Sequence, residues 1–541
     1  MQLNHRGMRR RSVRAVRNLM LLGSFLCLPF LRWPASVRAS TGDSSYKQTV
    51  LAIQKQIETG NLDEARALIA EATRHYPHNG GVENLLGVVE IQQGHNEAAR
   101  KAFAAAIVDD PHLIGAYLNL SRMDMETAAT QRAARAEALR LCLKVLQLDP
   151  SNEEAHYQAA TVLFWNHEYR LSLEHLEKLS TQSRAKIGAE ALLCGDAAAL
   201  GPRAKIEQAA KALAANPDLT EQDADTCLST LRAAKRADLI EEVFAAAANH
   251  QALSPEGLRI LGLAQEGEGK LPEARATLEK AFAANDKSVD ILEDLTRVAK
   301  TTGDDQGALG YLAHARDLQP TNAALAYEFG TICLRMGLFA EARKAIGDAL
   351  RLDPDNPDFN LGMGTVVSFS ADPSQSLPYL TRYLSLRPKD PQGVLALGAA
   401  NYRAKDYDTA SQWLRQAVAN PRTAAEAHFY LGRIARQEGR VDEAVSELKQ
   451  SLALEPSQAD ALAELGQISV QRHDFSQADT YLNQALHQDP DNYAANFGLL
   501  QLYARTGDAR REQQSRRFDE IKTMRDERER QMMRAIEIRP N

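Results

Sequence analysis

Thiol and imidazole groups are the side chains here best suited to chemistry, with five cysteines and thirteen histidines among 541 residues. No two cysteines stand at the short spacing of a local metal-binding pair. The sequence also lacks a glycine-rich phosphate loop, an HExxH pair and a GxSxG elbow. The histidines are scattered; His75 and His78 flank Pro77, a setting that reads as an exposed turn rather than a metal site. Cys142, Cys194, Cys227 and Cys333 fall on apolar helical positions, where cysteine acts as a small filler. These residues predict neither catalysis nor a bound metal, and they imply no cofactor.

The elements that carry them are legible in one stretch, AALAYEFGTICLRMGLFAEARKAIGDALRLDP, from Ala323 to Pro354. Phe329, Ile332, Cys333 and Met336 recur at helical spacing, and so do Ala342, Ile346, Ala349 and Leu350, so each set predicts one apolar helical face. Gly337 supplies a left-handed residue between the two helices, and Asp353-Pro354 stops the second. The pair is a helical hairpin. Prolines closing such hairpins stand 34 residues apart at Pro320, Pro354 and Pro388, and again at Pro77 and Pro111 and at Pro456 and Pro490. A glycine closing the first turns of the first helix recurs at Gly87, Gly262, Gly330, Gly364, Gly398, Gly432 and Gly466. An alanine follows twelve residues later at Ala99, Ala274, Ala342, Ala410, Ala444 and Ala478, and a bulky residue four beyond that, as in Phe103 and Ile346. A fixed period of this length means stacked repeats.

This glycine, alanine, bulky-apolar and proline pattern resembles the tetratricopeptide repeat (TPR) family, although the family's tryptophan is missing and Cys333 stands where tyrosine is frequent. The resemblance implies an all-α fold, an α-solenoid superhelix of about fourteen hairpins. They are expected to begin near Tyr46, Gly80, Ile114, Glu153, Lys186, Thr220, Pro255, Val289, Ala323, Pro357, Pro391, Ala425, Ala459 and Tyr493, the last incomplete. The array thus covers residues 46–507. The third hairpin carries extra residues between Met123 and Glu137, expected to lengthen a helix or its turn. Repeats within 186–254 fit worst, marked by Gly201-Pro202 and the alanines 245–248, and any bend or loosening is expected there. Residues 508–541 read as a charged C-terminal helix that solvates the last repeat through Phe518, Ile521 and Met524. The alternative is a partner-binding arm using Met532, Met533 and Ile536.

Residues 1–40 differ in kind. Eight arginines and no acid give this segment a positive head, including Arg6, Arg9, Arg10, Arg11, Arg14 and Arg17, ahead of an apolar run from Leu19 to Leu31. Val37-Arg38-Ala39 then offers small residues before Ser40, which predicts a cleaved signal peptide. The competing reading keeps the segment, with residues 18–31 as a membrane anchor, although Pro29 interrupts the run. A twin-arginine signal is disfavoured by Arg14 and lipidation at Cys27 by Leu26. Either way the array is expected outside the cytoplasm, periplasmic or secreted, or tethered to the inner membrane. Taking the eight arginines from the net charge of −7 leaves −15 on the rest, which argues against nucleic-acid binding.

The resemblance also implies where partners bind. In proteins similar to this one the first helices line a concave groove that holds an extended peptide or a partner's helix. Its positions map onto Tyr157, Phe164, Arg259, Glu293, Arg297, Tyr327, Tyr402, Phe429, Arg433, Arg436 and Phe497. The competing reading packs Tyr157, Tyr327 and Phe497 between neighbouring helices as core, and for any single aromatic core is favoured over contact. Arg433 and Arg436, one turn apart, favour an acidic ligand. The chaperone-binding members clamp a terminal carboxylate with lysines and asparagines in consecutive units, and Asn119 stands without those partners. The function expected is a non-catalytic protein-protein interaction scaffold or adaptor. The alternative is a TPR-bearing envelope enzyme or transferase accessory subunit, for which the array leaves no catalytic stretch. Free thiols are expected at Cys194 and Cys227, because equivalent helices lie about 8 to 10 Å apart and a disulfide needs Cα atoms within about 7 Å.

Overall fold

A computed structural model describes residues 44–368 and 372–535, with side chains at 45–368 and 372–524. The arginine-rich segment 1–40, with its expected signal or anchor, lies outside the described residues. The side chains of Met532, Met533 and Ile536 lie outside them too. Among the described residues every regular element is a helix, and the fold is an all-α solenoid. The chain divides into two compact units, one ending at Ala284 and one beginning at Asn285. In the first unit the leading helices of successive hairpins begin at Ser44, Gly80, Ile114, Glu153, Ile187, Glu221 and Pro255; in the second they begin at Val289, Ala323, Pro357, Pro391, Ala424, Ala459 and Tyr493.

Local chemistry sets these boundaries. Asn79, Asn152 and Asn492 each follow a proline by two residues, and their side chains accept from the backbone N–H of Val82, Ala155 and Ala495, at 3.1, 3.0 and 2.9 Å. A cap of this kind satisfies one of the orphan donors at a helix start. One turn on, Asn360 and Asn496 donate to the carbonyls of Pro354 and Pro490, at 2.9 and 3.1 Å, fixing the chain that enters each helix. Between the two helices of a hairpin, Gly337 has φ of 77°, as its sequence position requires. Lys235, Lys405, His167 and His473 hold the same register in other hairpins, with φ of 57°, 64°, 63° and 63°, and lack glycine's freedom there.

Packing explains the interior pattern. Second helices bury one stripe, as in Val441–Leu454 with Ala444, Leu448 and Ser451. Their leading partners are covered on several sides: Ala424–Gln437 buries Ala427, Phe429, Tyr430, Leu431, Ile434 and Ala435. The repeated glycine serves this packing and closes no turn. It lies within the leading helix, where a Cβ on Gly330 would stand 2.6 Å from Ile346 Cγ1. Ala342 and Ala444, each with 0% exposure, allow the same close approach from the other side.

Three sequence expectations change in detail. The extra residues of the third hairpin lengthen both helices, Ile114–Ala128 and Arg132–Leu148. Arg135 fastens the turn between them by donating to the carbonyls of Ala128 and Ala129, at 2.6 and 3.1 Å. The fifth and sixth hairpins are complete, Ile187–Leu200 with Arg203–Ala214 and Glu221–Ala233 with Ala237–His250. The irregular trailing helix belongs to the fourth hairpin, where Tyr169–Leu176 spans only 8 residues. Finally, the last hairpin has its second helix, Arg511–Ala535, whose Ile521 is buried and whose Phe518 lies against Tyr493 and Phe497 with ring centres 4.9 and 5.5 Å apart.

Candidate functional site

The densest grouping of interface-type side chains lies in the second unit, on three consecutive leading helices. Pro391–Arg403 supplies Tyr402 and Arg403, Ala424–Gln437 supplies Phe429, Tyr430, Arg433 and Arg436, and Ala459–Gln471 supplies Glu464 and Gln467. The Arg433 guanidinium sits over the rings of Tyr402 and Phe429, 5.2 and 5.5 Å from their centres. Its Nε lies 3.2 Å from Glu464. Arg436 donates to the same carboxylate and, at 3.0 Å, to Gln467. The Tyr402 and Tyr430 rings meet at a tilt of 56° with centres 5.4 Å apart, and Arg403 donates to the Tyr430 hydroxyl at 3.1 Å.

Burial tunes this group. Burial raises the phenol pKa values of Tyr402 and Tyr430, so both hydroxyls stay protonated and able to donate. Arg433 keeps 37% of its side chain exposed and Arg436 keeps 22%, whereas Glu464 keeps 14%. Two guanidinium groups share one carboxylate, so these contacts leave one positive charge unmatched. The arrangement suits a carboxylate held beside an aromatic wall.

The remaining groove positions are dispersed. In the second unit, Glu293 is exposed, and Arg297 pairs with Asp294 on its own helix at 2.9 Å. Tyr327 is half-buried against Phe359 at 4.8 Å, and Phe497 is covered in part by Phe518. In the first unit, Tyr157 rests against Gly188, where a Cβ would meet its hydroxyl at 2.4 Å. Arg259 pairs with Glu256 at 3.4 Å. Two assignments are corrected by burial. Phe164, at 7% exposure, fills the space over Gly195 and meets Tyr169 edge-on, and Phe429, at 8%, is core with only its face offered to Arg433. Asn119 donates to Asn84 at 3.0 Å and accepts from Arg122 at 2.8 Å, so its polar capacity is used inside the fold.

Sequence reasoning missed Arg403, Tyr430, Glu464 and Gln467, although a signal for two of them exists. Tyr402 and Tyr430, Arg436 and Glu464, and Lys300 and Glu328 each meet across neighbouring leading helices at a separation of 28 residues. Scanning for complementary residues at that offset would have paired them. His75 and His78 are exposed, His78 with a left-handed φ of 56°. Among the described residues no group of three or more His, Cys, Asp or Glu could hold a metal ion. No helix there is long and apolar enough to cross a membrane.

Two family profiles, both described as Tetratricopeptide repeat, match the chain, one over residues 301–363 and 435–485, the other over 53–113, 369–425 and 463–511. No curated protein matches its sequence. Among solved structures it is similar to the APC/C hetero-tetramer Cut9-Hcn1, at 16% identity over 85% of this chain and 96% of that one, with a TM-score of 0.37. It is similar to PilW, a type IV pilus biogenesis factor, at 19% identity over 39% of this chain and 98% of that one, TM-score 0.35. A tetratricopeptide repeat protein from Parabacteroides merdae shares 16% identity over 43% of this chain and 93% of its own, TM-score 0.35.

Proposed function

The chain belongs to the tetratricopeptide repeat family, whose repeats bind protein partners, and from that premise we propose that it is a non-catalytic scaffold using the leading-helix face of its second unit. The observation carrying this reading is the Tyr402, Arg433, Arg436 and Glu464 group. Aromatic and arginine side chains fixed by neighbours before a partner arrives lose little freedom on binding, which is how a few residues come to dominate an interface. The partner segment that fits is an extended or helical peptide carrying an acidic side chain.

A neutral triple variant tests this. Reversing Arg433 and Arg436 to glutamate would crowd three carboxylates together, so Arg433→Gln, Arg436→Gln and Glu464→Gln are combined instead. Screened against acidic and neutral peptides by fluorescence anisotropy, the wild-type chain should select acidic members and the variant should lose them with helicity unchanged. Equal affinity in both chains moves the site elsewhere. Export is part of the same proposal, on the strength of the arginine-rich head and apolar run in residues 1–40. N-terminal sequencing of the mature protein checks it, and a chain that keeps those residues rejects cleavage.

A further inference from the structure

Cys194 and Cys227 occupy one register of successive hairpins. Both are free, and both have 0% exposure within one core cluster. Cys194 directly precedes Gly195, as Leu261, Phe329, Met363, Leu397 and Leu431 precede the matching glycines of their hairpins. A seam that other hairpins fill with a large side chain is filled here by two thiols. The surroundings are small as well, with Ala191 and Ala198 on one helix and Ala224 on the other, all buried. A Cβ on Gly195 would stand 3.5 Å from Thr230 Oγ1. The helices carrying them pack directly on one another, and Cys194 first, then burial, holds the Cys227 thiol well above its usual pKa.

The thiols are free, as expected from sequence, yet helix spacing does not forbid a bond. Axes about 8 to 10 Å apart carry their Cα atoms on cylinders of about 2.3 Å radius. Facing Cα atoms are therefore only about 3.5 to 5.5 Å apart, which overlaps the disulfide range of about 4.4 to 6.8 Å. The distance that limits a disulfide is that between Cα atoms, not between helix axes.

We propose that Cys194 and Cys227 form a reversible disulfide that clasps the fifth hairpin to the sixth, made by exchange with a disulfide oxidant such as oxidised glutathione. One cysteine thiolate attacks the oxidant, forms a mixed disulfide and releases one glutathione thiol. The second thiolate attacks the protein sulfur of that mixed disulfide and releases the other. The protein loses two protons and two electrons, and the oxidant is reduced to two thiols. Because neither sulfur is exposed and Cys227 resists ionisation, exchange proceeds through local opening, and the closed clasp resists later reduction.

The full chain is incubated with oxidised glutathione, in buffer and in low urea followed by return to buffer, then alkylated and digested with trypsin without reduction. The expected product links peptide 187–203 to peptide 212–232, two hydrogens lighter than the pair. Dithiothreitol should reverse it. Hydrogen exchange across 187–233 should slow severalfold on oxidation of the wild-type chain and stay unchanged in Cys194→Ser/Cys227→Ser. Alkylated thiols, separate glutathione adducts at both residues under both conditions, or preferential links to Cys142 or Cys333 overturn the proposal.

Discussion

Replacing Asp196 by asparagine should remove a pH dependence that the wild-type chain carries between about pH 4 and pH 7. Asp196 has 0% exposure, and neither carboxylate oxygen has a hydrogen-bond partner. Ser172, also buried, stands on Tyr169–Leu176 at the register of the close-packed alanines Ala342 and Ala444, where the crossing leaves little room for water. Burial raises the Asp196 carboxyl from the ordinary 3.8 to about 7, against an opposing pull from the neighbouring Ser172 hydroxyl. An unfolded aspartate titrates near 3.9. Between those values the folded chain keeps a proton that the unfolded chain has released, so stability falls as pH rises. The loss is about 1.4 kcal/mol per pH unit and roughly 4 kcal/mol in all, level above about pH 7 and absent below about pH 4.

A repeat array opens piecewise, so a single melting temperature would blur this effect. Hydrogen exchange in peptides from residues 166–200, corrected for intrinsic rates, reads the local opening free energy directly. The difference between variant and wild type isolates the carboxylate, because His175 titrates in an overlapping range. Asparagine still buries an amide at a cost of about 1 to 3 kcal/mol, so the variant gains less than the full amount at pH 8. Its loss of slope is the sharper test. Parallel pH profiles for the two chains would refute the reasoning.

The His156 and His175 rings meet at 2.9 Å between Nδ1 atoms, and burial first, then His156, holds His175 below the usual imidazole pKa. Its stabilising contribution is present above about pH 6.5 and lost as pH falls through the lower folded value, so exchange in residues 153–176 should quicken on acidification. His175→Glu copies the His428–Glu447 contact at the same register and should abolish or invert that trend. Ala342→Leu or Ala444→Leu should overpack a crossing that now has no exposed surface and cost about 1 to 3 kcal/mol, read by urea unfolding. Lys405→Gly removes a left-handed lysine with φ of 64° and should stabilise its hairpin by roughly 1 kcal/mol, while Gly337→Ala should destabilise its own by a similar amount.

Helices and turns were legible because each follows from residues close in sequence. Gly337 and the prolines at the 34-residue period mark where the backbone must turn, and the predicted hairpin starts lie within two residues of the observed ones. The short trailing helix of the fourth hairpin was not foreseen: its register residue is Ser172 rather than alanine, and it ends before Ser180, which opens the four-residue helix Thr181–Arg184. The candidate site was legible only in part. Periodicity could place Phe429 and Arg433 near the same face, but could not say that the ring is 8% exposed and the guanidinium covers it. Contacts between neighbouring repeats depend on how two helices cross, which one repeat does not encode.

That dependence bears on recognition. A leading helix buried on several sides leaves a narrow strip of side chains outside the core, and in the second unit much of that strip is engaged from one repeat to the next. Lys300 holds Glu328 at 2.7 Å, Tyr402 meets Tyr430, and Arg436 holds Glu464. On the proposed reading a partner would meet side chains already positioned and would compete with Glu464 for Arg433 and Arg436, whose two charges exceed its one. Competition weakens the gross attraction but selects a ligand carboxylate that can also lie against Tyr402, because a bare anion replaces one charge contact with another and gains no aromatic surface. Specificity at the proposed face would thus rest on the pairing of charge with ring, and free acetate should compete poorly with an acidic peptide.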